Sequence, residues 1–209
     1  MSVSEEREVQ PTTTPVSGTG IADPAPLGLA AFALTTFLLS AANAGWMTKA
    51  TGSAWLGYAF GYGGTVQLLA GMWEFRNRNT FGAVAFSSYG GFWLGLALWV
   101  ELVAAHAPSA AAAQHDIAWI LLAFAIFNTY MLILSSQLNM AVFLVFLTLE
   151  ITEIILFIGN FAGSSGTVKF GGYLGLVTAL VAWYASAALV SAGIANGKLK
   201  FPVGKALIR

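Results

Sequence analysis

Two glutamates three residues apart, Glu150 and Glu153, lie in the middle of an otherwise apolar run from Met140 to Phe161. Ionisable groups at that depth in a hydrophobic stretch are rare and usually functional. A carboxyl group there can take up and release a proton. The competing reading is a protonated pair that bonds a neighbouring helix or subunit. Other apolar runs contain uncharged polar side chains, Thr35, Thr36, Asn43, Tyr62, Gln67, Tyr89, Asn128, Thr129 and Ser135. Most hydroxyls of this kind merely bond the next helix. Of nine Lys and Arg residues, none falls inside a long apolar run. Moving a bare carboxylate into an apolar passage is very costly. Without a buried cation, an anion can be handled only by dipoles and neutral donors, or as its protonated acid.

The elements that position these groups are membrane helices. The chain has 209 residues, 57% hydrophobic and 9% charged, against about 25% charged in an ordinary soluble domain. Six apolar stretches of about 20 residues each match the thickness of a bilayer. The patterning predicts helices at Leu27–Trp46, Trp55–Trp73, Phe81–Ala105, Ile117–Ser135, Met140–Phe161 and Phe170–Asn196. The fold class expected is an all-α membrane protein with six transmembrane helices. Residues 1–22 read as a disordered cytoplasmic tail, 23–196 as the transmembrane domain and 197–209 as a basic cytoplasmic tail. Six crossings put both termini on one side. Arg7, Arg76, Arg78, Lys198, Lys200, Lys205 and Arg209 fall on that side, and Lys49 and Lys169 on the other. Positive charge collects in the cytoplasm, so both termini are expected there. Trp46, Trp55, Trp73 and Trp119 fall near span ends, as interfacial aromatics do. Glycine pairs at four-residue spacing, Gly57/Gly61, Gly91/Gly95, Gly159/Gly163 and Gly171/Gly175, predict close helix approach, within a subunit or between subunits.

Cysteine is absent, which excludes disulfides, thiolate metal sites and cysteine catalysis. A net charge of zero offers no argument for nucleic acid. No metal cluster, nucleotide loop, catalytic triad or Schiff-base lysine is legible, so no cofactor, no metal and no enzymatic activity is expected. The first predicted helix opens with Asp23-Pro24-Ala25-Pro26-Leu27-Gly28-Leu29. Asp caps helix N-termini and Pro suits the first turn. The exposed N–H groups and dipole of such a start attract anions.

This heptad resembles the Asn-Pro-Ala-Pro-Leu-Gly-Leu signature of the acetate uptake transporter family, the succinate–acetate permeases. Tyr62-Gly63-Gly64 with Gln67, Gly71 and Glu74 is similar to the family's second helix, and Asn79-Thr80-Phe81-Gly82 with Ser88-Tyr89-Gly90 to its third. Gly159-Asn160 and Phe201-Pro202-Val203-Gly204 complete the series. Position 23 departs from the pattern, with Asp in place of Asn.

The resemblance implies a homohexamer in which each subunit holds its own pathway for small monocarboxylates, chiefly acetate. It places an apolar constriction on Phe32, Tyr89 and Leu149. Candidates for contact with the substrate are Asp23, Pro24, Leu27 and Gly28 at the helix start and the uncharged donors Asn43, Tyr62, Gln67 and Ser135, of which Tyr62 and Gln67 lie in family-like segments. At about 100° per residue, Glu153 projects roughly 40° from Leu149 and Glu150 roughly 100°. Glu153 is therefore the better candidate for a proton-linked gate, which repels carboxylate when charged and admits it when protonated. Glu74, Arg76 and Arg78 read as a surface ion pair or a weak anion funnel at a cytoplasmic mouth. Expected partners are small carboxylates, protons and membrane lipid. The alternative reading is a passive anion channel, or a channel for ammonia or another small neutral solute. A multi-pass protein of a bacterial inner membrane or plasma membrane is expected.

Overall fold

The computed structural model describes residues 20–48, 51 and 53–208. The expected N-terminal tail, residues 1–22, lies outside the described residues as far as residue 19. Seven α-helices follow: α1 Ala25–Asn43, α2 Trp55–Tyr58, α3 Gln67–Arg76, α4 Thr80–Leu102, α5 Ala110–Ser135, α6 Met140–Phe161 and α7 Ser165–Gly193. A π-helical segment, Ala59–Val66, joins α2 to α3 without a break. Helices α1, α4, α5, α6 and α7 are each long and apolar enough to cross a membrane. The continuous run from Trp55 to Arg76 supplies a sixth helical rod about 30 Å long at 1.5 Å per residue. The chain is thus a multi-pass helical membrane protein.

Side-chain caps set where four helices begin. Asn79 accepts a hydrogen bond from the Gly82 N–H at 3.1 Å, Ser109 from Ala112 at 3.1 Å and Asn139 from Val142 at 3.0 Å. Ser164 accepts from Thr167 at 3.4 Å. Each pairs an N–H that the first helical turn leaves open. The caps lie in the predicted connections. They also explain two corrections: α5 starts at Ala110 rather than Ile117, and α7 at Ser165 rather than Phe170. Apolar patterning marks the lipid-facing stretch, whereas the cap marks the helix. Helix α6 stops before Gly163, whose φ of 63° suits a residue without a Cβ.

Helix α1 packs mainly on α7 and also touches the π segment, α3 and α4. Helix α6 lies between α5 and α7, and α3 packs on α4. Helices α4 and α6 are not among the closely packed pairs. Aromatic side chains and cavities fill the space between α1, α4 and α6.

The glycine pairs divide. Cβ atoms added at Gly159 and Gly171 would strike Val168 and Leu156, so these glycines let α6 and α7 approach. Gly172 lies against the α1 backbone, where an added Cβ would sit 2.5 Å from the Ala44 nitrogen. Gly57, Gly61, Gly91 and Gly95 face open space. Intramolecular packing therefore accounts for only part of the pattern. Trp46, Trp73 and Trp119 are exposed, as interfacial residues are. Trp55 instead is buried against Trp93, Leu96 and Ala97.

Candidate substrate pathway

Two cavities within the bundle share part of their lining and are named inner and outer for the expected cytoplasmic side of the chain ends. The inner one, of about 200 Å³, is bordered by Asp23 and Ala25 at its mouth and by Gln67, Phe81, Phe86, Val142, Val145 and Phe146 along its walls. The outer one, of about 50 Å³, is bordered by Thr36, Ser40, Asn43, Phe92, Trp93, Leu121, Thr152 and Glu153. Phe32, Tyr89 and Leu149 border both. They come from α1, α4 and α6. The Phe32 and Tyr89 rings meet edge to face with centroids 5.7 Å apart. Phe124 and Phe127 of α5 hold the other side of Tyr89 at 5.7 and 5.5 Å. Among the described residues no Lys or Arg borders either cavity.

Buried polar atoms collect around the shared trio. The Tyr89 hydroxyl lies 3.0 Å from Asn128 Oδ1 and 3.3 Å from Glu153 Oε1. Asn128 Nδ2 donates to the Phe146 carbonyl at 2.9 Å and to Glu150 Oε2 at 2.7 Å. Thr129 Oγ1 lies 2.8 Å from Glu150 Oε1. Glu153 and Asn128 are buried, whereas Glu150 is half-buried and Thr129 exposed on the outer side of the bundle. Three polar atoms of residues lining the outer cavity have no partner among the described residues: Thr36 Oγ1, Trp93 Nε1 and Glu153 Oε2. Gln67 Oε1 is the counterpart in the inner cavity. Unpaired buried polar atoms are uncommon and call for a partner such as water or ligand.

The structure brings Asp23, Gln67, Asn43 and Glu153 to the cavities, beside the shared trio. Pro24, Leu27, Gly28, Tyr62 and Ser135 border neither. Gly28 lies under the Phe86 ring, where a Cβ would come within 2.6 Å. Tyr62 lies in the π segment, and the Ser135 hydroxyl is spent on the Leu132 carbonyl at 2.7 Å. The peptide N–H groups at the start of α1 are also taken. Ala25 donates to Asp23 Oδ1 at 3.0 Å, Leu27 and Gly28 bond the Pro24 carbonyl, and Pro26 has no N–H. The Asp23 carboxylate thus occupies the place an anion would take at this helix end.

Glu74 corrects another expectation. It is fully buried and bonded to Asn77 Nδ2 at 3.2 Å, while Arg76 and Arg78 are exposed. Among the described residues no salt bridge joins Glu74 to either arginine; the one acid–base contact is His115 Nδ1 with Asp116 Oδ1 at 3.3 Å. The sequence reading did not assign Phe81, Phe86, Trp93 or Phe146 to a pathway, because aromatic residues in membrane spans look alike whether they face a cavity or lipid.

Residues 6–204 match the GPR1/FUN34/yaaH family. The chain belongs to this family. Over 194 residues it is 41% identical to Acetate permease A of Emericella nidulans, a match covering 86% of this chain and 64% of that protein. The chain therefore spans less than two thirds of that permease's length. It is 33% identical over 196 residues to the succinate-acetate/proton symporter SatP of Escherichia coli, covering 91% of this chain and 99% of the symporter. The solved structure of the bacterial acetate channel SatP superposes with a TM-score of 0.77 at 32% identity, covering 88% of this chain and 99% of the other.

Proposed function

We propose that this family member carries small monocarboxylates, chiefly acetate, across the membrane through a pathway within each subunit. The pathway follows the two cavities, and Phe32, Tyr89 and Leu149 form an apolar constriction between them. The observation that supports this most directly is that these three side chains, and no others among the described residues, border both cavities. Such a ring passes a small methyl-bearing acid and opposes bulky or doubly charged ones by size and dewetting. The names of the relatives, an acetate permease, a succinate-acetate/proton symporter and an acetate channel, point to the same substrate class.

With no Lys or Arg of the described residues beside the route, the acid is held by neutral groups. The Thr36 hydroxyl and Trp93 N–H are unpaired donors at the outer cavity. Glu153 serves as the proton-linked element: charged, it repels a carboxylate, and protonated, it lets the acid pass. Glu150, on the same helix, contributes through Asn128. The reading includes a homohexamer with both termini in the cytoplasm, in a bacterial inner membrane or plasma membrane.

Purified protein in liposomes tests it. Labelled acetate uptake, competed by formate and propionate, is expected. Accumulation against an acetate gradient under an imposed pH gradient identifies a symporter, and electrogenic flux without one identifies the passive-channel alternative. Leu149→Ala should widen the constriction and shift the propionate-to-acetate ratio about ten-fold toward propionate, the worth of one methylene in a tight apolar site. Folded protein that moves ammonia but no carboxylate would refute the proposal in favour of the neutral-solute alternative.

A further inference from the structure

We propose that Asn128 is a positioning residue for the Glu153 gate: its oxygen takes the Tyr89 hydroxyl proton and so leaves Glu153 as the donor in the chain Glu153–Tyr89–Asn128. The inference rests on the proposed function and adds the element that gives the gate its polarity. The amide of Asn128 cannot turn over. Its nitrogen faces the Phe146 carbonyl at 2.9 Å, a group that only accepts, and its second hydrogen goes to Glu150 Oε2 at 2.7 Å. Both N–H bonds are used, so the remaining oxygen is an acceptor, 3.0 Å from the Tyr89 hydroxyl.

Tyr89 has one hydroxyl proton and two acceptors within reach. Asn128 is nearer, at 3.0 Å against 3.3 Å for Glu153 Oε1. With that proton directed to Asn128, the tyrosine oxygen offers Glu153 only lone pairs. A protonated Glu153 completes the chain, every donor meeting one acceptor. An ionised Glu153 instead confronts lone pairs, or draws the Tyr89 proton away and leaves the Asn128 oxygen unpaired. Its second oxygen has no protein partner to compensate. The donor count thus matches the acceptor count only in the protonated state. Glu153 Oε2 is then an uncharged acceptor beside the outer cavity, suited to the O–H of a protonated carboxylic acid.

The titratable groups that face Glu153 are Tyr89 from α4 and Glu150 from its own helix. Asn128 of α5 reaches it through the Tyr89 hydroxyl, and Tyr130 lies farther along that helix. Helix α1 presents uncharged Thr36, Ser40 and Asn43 around the same cavity. Helix α7 presents Thr178, bonded to Thr152 at 3.1 Å. None of these besides Asn128 sets the direction of the Tyr89 proton.

The test is acetate flux against pH in proteoliposomes of the full chain, for the wild type, Asn128→Leu, Glu153→Gln and the double variant. Removing Asn128 frees Tyr89 to donate to the Glu153 carboxylate. The flux midpoint of Asn128→Leu is expected to move to lower pH by about one unit, the worth of one hydrogen bond to a charged group. Glu153→Gln should alter the wild-type pH profile, and adding Asn128→Leu should change it no further. An unmoved midpoint in Asn128→Leu, or a shift that persists in the Glu153→Gln background, overturns the positioning role. A wild-type profile that Glu153→Gln leaves intact overturns the gate as well, and absent wild-type acetate flux overturns the transport reading beneath both. Should Asn128→Leu fail to reconstitute, Asn128→Ser, whose hydroxyl is too short to reach Tyr89, carries the same expected shift and the same refutations.

Discussion

Asp23 shows how one atom-for-atom change near a pathway matters. Asparagine and aspartate both cap helices, but the carboxylate adds a charge at the inner mouth while accepting the Ala25 N–H. Removing that charge should ease the approach of an anion. Asp23→Asn is expected to raise acetate uptake about three-fold at low salt, with the gain shrinking as ionic strength rises. Uptake rates at several salt concentrations check this, and a salt-independent gain would assign the effect to packing instead. Glu74 teaches the opposite lesson. Its neighbours in sequence, Arg76 and Arg78, suggested an ion pair, yet its side chain turns inward to Asn77 and the Gly82 backbone. Charge spacing along a helix end does not say which way the side chain points.

At the scale of elements, the caps Asn79, Ser109, Asn139 and Ser164 were legible as polar connections, but only the helices opened by Asn79 and Asn139 start where hydropathy places them; those opened by Ser109 and Ser164 begin well before their apolar stretches. The π-helical turn was not. The segment Ala59–Val66 is glycine-rich, and an added Cβ at Gly63 would fall 2.5 Å from Thr35 Oγ1. Close approach to α1 therefore shapes this stretch, and one extra residue in a turn leaves no mark on hydropathy. Single π turns are frequent at functional sites, and Gln67, at the end of this one, borders the inner cavity. The α1–α7 contact depends on glycine in the same way. Gly172→Val should cost about 2 kcal/mol through overpacking against the α1 backbone. Gly57→Val, which meets nothing within the subunit, should leave stability of the subunit unchanged. Thermal unfolding of both variants in one detergent checks the pair.

At the scale of the whole molecule, the absence of cysteine offers a direct probe of topology. A single cysteine at Lys198 should be labelled by an impermeant reagent only from the cytoplasmic side. One at Ala112, in the loop-proximal turn of α5, should react only from the opposite side. Equal labelling of both from one side would reverse or abolish the six-crossing arrangement. Glu150 and Thr129 bring polar groups to the outer side of the bundle in mid-span, where lipid solvates them poorly. Native mass spectrometry of the detergent-extracted protein should give six copies.

Composition alone established that this chain lives in a bilayer, because apolar runs of that length have no other stable solvent, and the order of short motifs was enough to place it in its family. Which aromatics besides Phe32 and Tyr89 border the cavities was left to the tertiary structure, since hydropathy is blind to whether a ring faces lipid, a neighbour or a void. The same holds for the carboxyls. Helical angles set Glu153 near Leu149, but only the packing of α4, α5 and α6 brought Tyr89 and Asn128 to it. Hydrogen-bond polarity is a property of three helices meeting, and no single stretch of sequence contains it.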